Sequence, residues 1–141
     1  LGMETMDWRV RALGASATAL AEALHGHAKL ARAIYPGHES HAQHALAMNE
    51  MGAGGTVIAL DLAGGKEAAF RFLNALEIVK ISNNLGDAKS IATHPATTTH
   101  QRLSDDQKDA LGITSGLIRF SVGIEDTDDL IADVMQALDR A

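Results

Sequence analysis

The sequence contains no cysteine, which excludes disulfide bonds and thiolate chemistry. Aromatic residues make up only 4% of it, so few side chains could stack on nucleic-acid bases. Lysine and arginine number 12 against 18 acidic residues and form no basic cluster, so we expect no nucleic-acid partner. Apolar runs are too short to cross a bilayer, and we expect no membrane partner. The 141-residue length and 46% hydrophobic content predict a single globular domain over residues 1–141.

Hydrophobic spacing predicts helices alternating with short strands. The apolar positions from Met6 to Leu24 recur at helical spacing and end at Gly26, which predicts a long first helix. Ser104 and Gln107 form a capping-box pattern for a short helix. Further helices are predicted at 41–51, 64–76 and 127–138, and strands at 29–34, 56–60, 78–81 and 117–122. This order favours an α/β (α+β) two-layer sandwich: a small, mainly antiparallel sheet with helices on one face.

Arg119 places a permanent charge in the middle of an apolar strand. Because side chains alternate along a strand, Ile118, Phe120 and Val122 should face the core, and Arg119 should face a cleft, a partner or solvent. A planar guanidinium on a rigid strand suits bidentate binding of a carboxylate or a phosphate. A solvated arginine on an exposed sheet face is the alternative that the residues alone leave open.

Two other patterns invite a ligand. His38, His41 and His44 have the spacing of a helical metal site, but no further ligand is placed to complete it. We therefore expect no metal and interpret them as surface histidines, some of which help cap the helix. Glycines within 52–55 lead from a helix into a strand, the reverse of a phosphate-binding loop, so we interpret them as a turn.

Five segments, in order, resemble the Cys/Met metabolism family of pyridoxal-phosphate enzymes, which contains the cystathionine synthases and lyases and the homoserine-ester sulfhydrylases. They are Gly2–Met6, Tyr35–Gly37 with Ser40–His44, Asn84–Ser90, Thr93–His100 and Leu117–Asp126. The resemblance implies the two-layer fold of that family's carboxy-terminal domain and a homo-oligomeric complete enzyme. Together with the absence of cysteine, it leads us to expect a cytoplasmic location.

The resemblance also implies roles for four substrate-binding residues. Arg119 matches the arginine that binds the α-carboxylate of the substrate, and Thr99 matches a threonine of the substrate cavity. Asn84, followed by Leu85, stands where many lyases and cystathionine synthases have a serine near that carboxylate. Asparagine here, with the sequence Asp-Ala-Lys-Ser after the Leu-Gly pair, is more similar to the sulfhydrylases.

The residues that would bind the cofactor are missing. No lysine of this sequence lies in the S-x-T-K-like segment that carries pyridoxal phosphate in the family, and the first residues already lie inside a family motif. We therefore expect a fragment of a longer protein, with pyridoxal phosphate bound by an absent upstream domain. The chain alone should have no catalytic, cofactor-binding or metal-binding residue and no activity.

Within the family, the sequence is most similar to the O-succinylhomoserine sulfhydrylase branch. This implies that the complete enzyme replaces the acyl group of an acylated homoserine by sulfide, forming homocysteine for methionine biosynthesis. The acyl group itself is not identified by these residues. A cystathionine γ-synthase or lyase of the same family is one alternative. A non-catalytic amino-acid-binding module is an alternative of another class, and a purely structural role is a third.

Overall fold

A five-stranded sheet forms the centre of the computed structural model, which describes residues 2–141. The strands are β1 (Leu30–Ile34), β2 (Val57–Leu62), β3 (Lys80–Ile81), β4 (Ile91–Thr93) and β5 (Leu117–Ser121), in the spatial order β1-β2-β5-β4-β3. The helices are α1 (Met6–Leu24), α2 (His44–Met51), α3 (Gly65–Ala75), α4 (Asp105–Ala110) and α5 (Thr127–Asp139), with 3₁₀ turns at Met3–Thr5 and Pro95–Thr97. Neighbouring strands are antiparallel except for the β3–β4 pair, which is parallel. The predicted mixed fold with a mainly antiparallel sheet is confirmed.

The hydrophobic core lies between one face of this sheet and helices α1, α3 and α5. The alternation predicted for β5 is present, because Ile118, Phe120 and Val122 are fully buried. They pack in one cluster with side chains of β2 and of the three helices, among them Leu20, Leu24, Ile58, Leu60, Phe72, Leu130, Val134 and Leu138. Burying large apolar side chains in this way removes them from water and is the main favourable contribution to folding.

Helix α1 has the predicted length, and Gly26 follows it with a positive φ of 74°. Its apolar stripe contributes to the core only from Leu13 onward. Met6 and Val10 are about half exposed (50% and 49%), and Trp8 is 82% exposed. Helical spacing identifies which residues share a face, but it does not show which part of that face other elements cover, and the apolar side chains of the first two turns stay largely uncovered.

A buried carboxylate attaches α5 to the chain before β3. Asp133 is 5% exposed and accepts hydrogen bonds from the backbone N–H groups of Glu77 (2.8 Å), Ile78 (2.9 Å) and Val79 (3.1 Å), and from the side-chain amide of Gln136 (3.0 Å). Burial by itself would raise the pKa of Asp133, but these donors stabilise the charged form and the net pKa lies below its ordinary value.

Two elements begin two or more residues later than predicted, and one strand was not predicted. The strand predicted at 78–81 is only Lys80–Ile81, because Asp133 binds the N–H groups of residues 78 and 79 that would join the sheet. The second helix begins at His44 and not at residue 41, because the preceding residues form successive tight turns. Strand β4 was not predicted; it has three residues, too few to show a period in the sequence.

Residues 35–37 and the glycine-containing residues 52–55 meet at Tyr35. The Tyr35 hydroxyl, in a side chain that is 2% exposed, donates to the carbonyl of Gly55 at 2.9 Å. A Cβ atom on Gly37 would lie 2.3 Å from the Tyr35 ring, and one on Gly54 would lie 2.3 Å from the backbone of Gly37. Gly52 ends α2 with a positive φ of 67°. Residues 52–55 form an irregular connection from α2 into β2, and Gly37 and Gly54 allow the close packing at Tyr35.

Candidate functional site

The face of β5 that points away from the helices carries Arg119. In the strand register, Arg119 lies between Ala59 on β2 and Thr93 on β4. Its side chain is partly buried, whereas its two neighbours in β5, Ile118 and Phe120, are fully buried on the opposite side. Arg119 therefore stands on the central strand of the sheet, where its backbone is fixed by strands on both sides.

The guanidinium of Arg119 is held at one of its nitrogens and is open at the others. Its Nη2 donates to the carbonyl oxygens of Asn83 (2.7 Å) and Asn84 (3.1 Å). Within residues 2–141, Nε and Nη1 of Arg119 make no hydrogen bond and no carboxylate lies at salt-bridge distance. The carbonyls fix the side chain's direction, and the remaining donors can bind an anionic group such as a carboxylate. This arrangement favours the ligand-facing interpretation over a freely solvated arginine.

The carbonyls that orient Arg119 belong to residues 82–90, which connect the parallel strands β3 and β4 without a helix. In space, this segment lies alongside β5 and the turn after it. Beyond the contacts at Arg119, the Gly86 N–H donates to Ser121 Oγ at 2.9 Å, and the Ile124 N–H donates to the Ala88 carbonyl at 2.8 Å. The structure thus brings two distant sequence motifs, 84–90 and 117–126, into one site.

Three of the four predicted substrate-binding residues come together here. Asn84 supplies a carbonyl to Arg119, and Leu85 follows it with 58% of its surface exposed. Thr99 is not joined to them by a hydrogen bond: it is exposed, and its hydroxyl lies 2.8 Å from Nδ1 of His100. The substrate-binding roles of Arg119, Asn84, Leu85 and Thr99 stay predictions.

Other residues of the site were missed by sequence reasoning. Thr93 is buried and donates to Oδ1 of Asn83 at 2.9 Å, and its oxygen lies 3.0 Å from the Thr98 hydroxyl. We call these two threonines, Asn83, Asn84 and Arg119 the Arg119 cluster. The alternation of side chains would have placed Thr93 beside Arg119 if β4 had been identified in the sequence. For Thr98 the sequence held no such signal, since it lies in an irregular segment.

His94 has a structural role beside this cluster. Its side chain is 3% exposed, with Nε2 2.7 Å from the Ser115 carbonyl and Nδ1 2.8 Å from the Thr97 hydroxyl. A carbonyl only accepts, so Nε2 carries the proton and Nδ1 accepts from the threonine. Both ring nitrogens are occupied, which leaves none for proton transfer.

The histidines near α2 do not converge on a metal position, and the part of the chain from residue 2 onward holds no group of three metal-ligating side chains. The interpretation of His38 as a surface histidine was wrong. His38 is 8% exposed, stacks on His25 with ring centroids 4.2 Å apart, and contacts Ser40 Oγ at 2.7 Å. His44 is partly buried, with Nδ1 2.9 Å from the carbonyl of Pro36. These rings pack within the fold because the turns before α2 fold back onto the end of α1.

Pyridoxal phosphate needs a lysine amino group that faces the substrate position, and four of the five lysines make their contacts elsewhere. Lys29 and Lys80 donate to the carbonyls of Ala141 (2.8 Å) and Glu77 (3.0 Å). Lys108 lies 3.8 Å from Asp105, and Lys66 lies over the ring of Phe70. These four lysines do not belong to the Arg119 cluster, and the fifth, Lys89, lies in the connection between β3 and β4.

Comparison with known proteins decides the family. The model of the Cys/Met metabolism PLP-dependent enzymes matches residues 1–139. The chain belongs to this family. Its Arg119 cluster is thus part of a fold whose members use pyridoxal phosphate. No helix within residues 2–141 has the length and apolar character required to cross a membrane.

Relatives in the family have several activities. The chain is 48% identical over 141 residues to an O-succinylhomoserine sulfhydrylase of Mycobacterium tuberculosis, covering 97% of this chain and 35% of that protein. It is 43% identical over 137 residues to an L-methionine γ-lyase of Pseudomonas putida, covering 97% and 34%. A cystathionine γ-synthase of Xanthomonas oryzae, solved with cystathionine, superposes with a TM-score of 0.92 at 36% identity, covering 96% and 35%. The chain spans about a third of the length of the relatives it matches.

Proposed function

We propose that this chain is the substrate-binding domain of a pyridoxal-phosphate-dependent O-succinylhomoserine sulfhydrylase, which forms homocysteine from an acylated homoserine and sulfide. The observation that carries the proposal is the guanidinium of Arg119, held by two carbonyls at Nη2 and open at its other nitrogens. The 48% identity to a sulfhydrylase of that name supports the choice of substrate and nucleophile.

In this proposal Arg119 binds the α-carboxylate of the acylated homoserine. The N–H groups of Nε and Nη1 can donate to the carboxylate while Nη2 stays bound to the two carbonyls, so the guanidinium is held in one orientation, which a single point charge does not provide. The benefit is orientation of the substrate and not proton transfer. Asn84, Leu85 and Thr99 line the same substrate region in this proposal.

Pyridoxal phosphate and its lysine belong, in this proposal, to a part of the protein outside these residues. The contacts of Lys29, Lys66, Lys80 and Lys108, all made away from the Arg119 cluster, support this division. We further propose that the complete enzyme is a cytoplasmic homo-oligomer. The contribution of this chain is then the half of the active site that binds the substrate's carboxylate.

A cystathionine γ-synthase or lyase is the second candidate, because the chain superposes closely on such a synthase. The two activities differ in the sulfur compound that reacts: sulfide for the sulfhydrylase, and cysteine for the synthase. Product analysis of the complete protein with O-succinylhomoserine therefore separates them. We expect homocysteine from sulfide to exceed cystathionine from cysteine, and the opposite ratio would contradict the sulfhydrylase assignment.

Replacing Arg119 tests the site itself. In the complete protein, Arg119→Ala should lose most of the activity with O-succinylhomoserine and sulfide while the fold is retained, as measured by circular dichroism. Arg102→Ala is the matched control, since Arg102 is an exposed arginine outside the Arg119 cluster. Unchanged activity of Arg119→Ala would exclude the proposed carboxylate-binding role.

The isolated chain provides a separate test of the division between domains. With added pyridoxal phosphate, the acylated homoserine and sulfide, we expect no homocysteine from this chain alone. Clear turnover would contradict the proposal that the cofactor is bound elsewhere. Binding of amino acids by a complete protein that shows no turnover would favour the non-catalytic module.

A further inference from the structure

The carbonyls that hold Arg119 lie on a segment that is itself held by one acidic side chain. We infer that Glu125 is a positioning residue of the substrate site: it fixes residues 83–90 so that the carbonyls of Asn83 and Asn84 remain at the guanidinium of Arg119. This inference rests on the proposed function, because it takes the Arg119 cluster as the place where the substrate's carboxylate binds.

Glu125 binds Ser90 with both carboxylate oxygens. Oε1 accepts from the Ser90 N–H at 2.7 Å, and Oε2 accepts from the Ser90 hydroxyl at 2.8 Å. The Ser90 hydroxyl oxygen in turn accepts from the N–H of Gly123 at 2.8 Å. Ser90 has no exposed surface. Three hydrogen bonds, two of them to a charged group, therefore fasten the end of the segment to the turn after β5.

The space around these bonds is filled. A Cβ atom on Gly123 would lie 2.3 Å from Oε2 of Glu125 and 2.3 Å from the nitrogen of Ser90. Within residues 2–141, no lysine, arginine or histidine lies at salt-bridge distance from Glu125. Its charge is therefore balanced by hydrogen-bond donors of the segment, which is what a fastening role requires and what a surface ion pair would not provide.

The other end of the segment is attached to β4: the Ser82 N–H donates to the Ala92 carbonyl at 3.0 Å, and Asn83 Oδ1 accepts from the Thr93 hydroxyl at 2.9 Å. The segment leaves β3, a two-residue strand at the edge of the sheet whose residues are both exposed. Between β3 and Ser90, its links to the turn and to β5 are the bonds at Ser121, Ile124 and Arg119. If Glu125 no longer held Ser90, the segment would gain freedom, and the two carbonyls would leave Arg119 for part of the time.

The chemistry of the side chain suggests a graded set of variants. Glu125→Ala removes both acceptors. Glu125→Gln keeps one acceptor for the Ser90 N–H and presents an amide donor to the Ser90 hydroxyl, which can rotate to accept it. Ser90→Ala keeps the backbone bond and removes both hydroxyl contacts. We expect the effect to be largest for Glu125→Ala and smaller for the other two.

Steady-state kinetics of the complete protein give the first readout. Glu125→Ala should raise the KM for O-succinylhomoserine by about tenfold, as expected when an interaction made equally in the ground state and the transition state is weakened. The KM for sulfide should not change, and Glu125→Gln should recover most of the loss. Ser104→Ala, which removes the cap of the distant helix α4, is the control for a purely structural loss and should leave both KM values unchanged.

A double variant tests whether the two residues act as one unit. The KM effects of Ser90→Ala and Glu125→Ala should be clearly less than additive in the double variant, because both remove the same attachment. Full additivity would overturn the inference. If Glu125→Ala does not fold, Glu125→Gln and Ser90→Ala provide the same comparison.

Hydrogen exchange separates this inference from the proposed function. The amides of Gly86, Ser90 and Gly123 should exchange faster in Glu125→Ala than in the wild type, whereas those of β2 should not change. This readout needs no turnover, so a protein without sulfhydrylase activity would contradict the proposed function and still allow the attachment to be measured. Unchanged exchange in residues 83–90 would overturn the inference even in an active enzyme.

Discussion

The two faces of β5 are stabilised in different ways. On the side of the helices, Ile118 and Phe120 are buried among apolar side chains of the core. On the opposite side, Arg119 and Ser121 are held by hydrogen bonds to residues 83–86. Packing on one face therefore determines whether the domain folds, and polar contacts on the other determine the geometry of the candidate site. Substitutions on the two faces should separate stability from substrate binding.

The largest effect is expected on the side of the helices. Phe120→Ala should reduce the free energy of unfolding by about 3–5 kcal/mol, because it removes a fully buried ring and leaves a cavity in a close-packed core. Urea denaturation followed by circular dichroism measures it. A loss below about 1.5 kcal/mol, the size of a conservative core change, would show that the core near β5 is less tightly packed than the structure indicates.

Arg119→Lys changes the face of β5 that points away from the helices without removing the charge. A lysine has one nitrogen and cannot be held by the two carbonyls while it donates to a carboxylate from a second nitrogen, so kcat/KM for O-succinylhomoserine in the complete protein should fall by about 30-fold or more, corresponding to roughly 2 kcal/mol for a hydrogen bond between charged groups. The free energy of unfolding should change little. A lysine variant with wild-type kcat/KM would show that charge alone is enough.

Asp133 is a buried charged residue on the side of the sheet where the other buried side chains are mainly apolar. Asp133→Asn should destabilise the fold by about 1–3 kcal/mol at pH 7, because an amide cannot accept hydrogen bonds from all the N–H donors there. The pKa of Asp133 is lowered in the folded state, so its stabilisation is complete above the unfolded value of about 4 and is lost as the pH falls through the folded value. The difference between wild type and variant should therefore shrink below about pH 4. Urea midpoints at several pH values measure it, and a difference that does not vary with pH would contradict the assignment.

The smallest effect is expected for Ser121→Ala. The change removes the acceptor of the Gly86 N–H, a single neutral hydrogen bond whose loss should cost about 1 kcal/mol. Hydrogen exchange at Gly86 should become faster, while the amides of α1 stay unchanged. If Gly86 exchanges as slowly as before, Ser121 does not hold the segment on this face.

The sequence predicted the helix side of the domain well because that side depends on repeating patterns. The alternation in β5 and the capping box at Ser104 and Gln107 are local features, and both are confirmed. The family also became visible in the sequence, since its motifs are short and ordered along the chain.

The face of β5 that points away from the helices was predicted only in part, because its contacts join residues far apart in the sequence. Arg119 was identified by its position in the strand, but its partners at Asn83 and Asn84 are set by the path of a connection that has no period. The same holds for Thr93, which lies in a strand too short to be recognised. Burial of His38 was likewise missed, since it depends on how the turns before α2 pack against α1.

The connection between β3 and β4 has a consequence for how this domain can vary in length. Parallel neighbouring strands usually need a crossover of a dozen or more residues, but here nine residues, 82–90, return the chain from the end of one strand to the start of the next. Contacts along the segment follow one another at Asn83, Gly86, Ala88 and Ser90. An inserted residue would move every later contact out of register, and a deletion would leave the span too short. Length variation in related domains should therefore concentrate in other connections and spare this one.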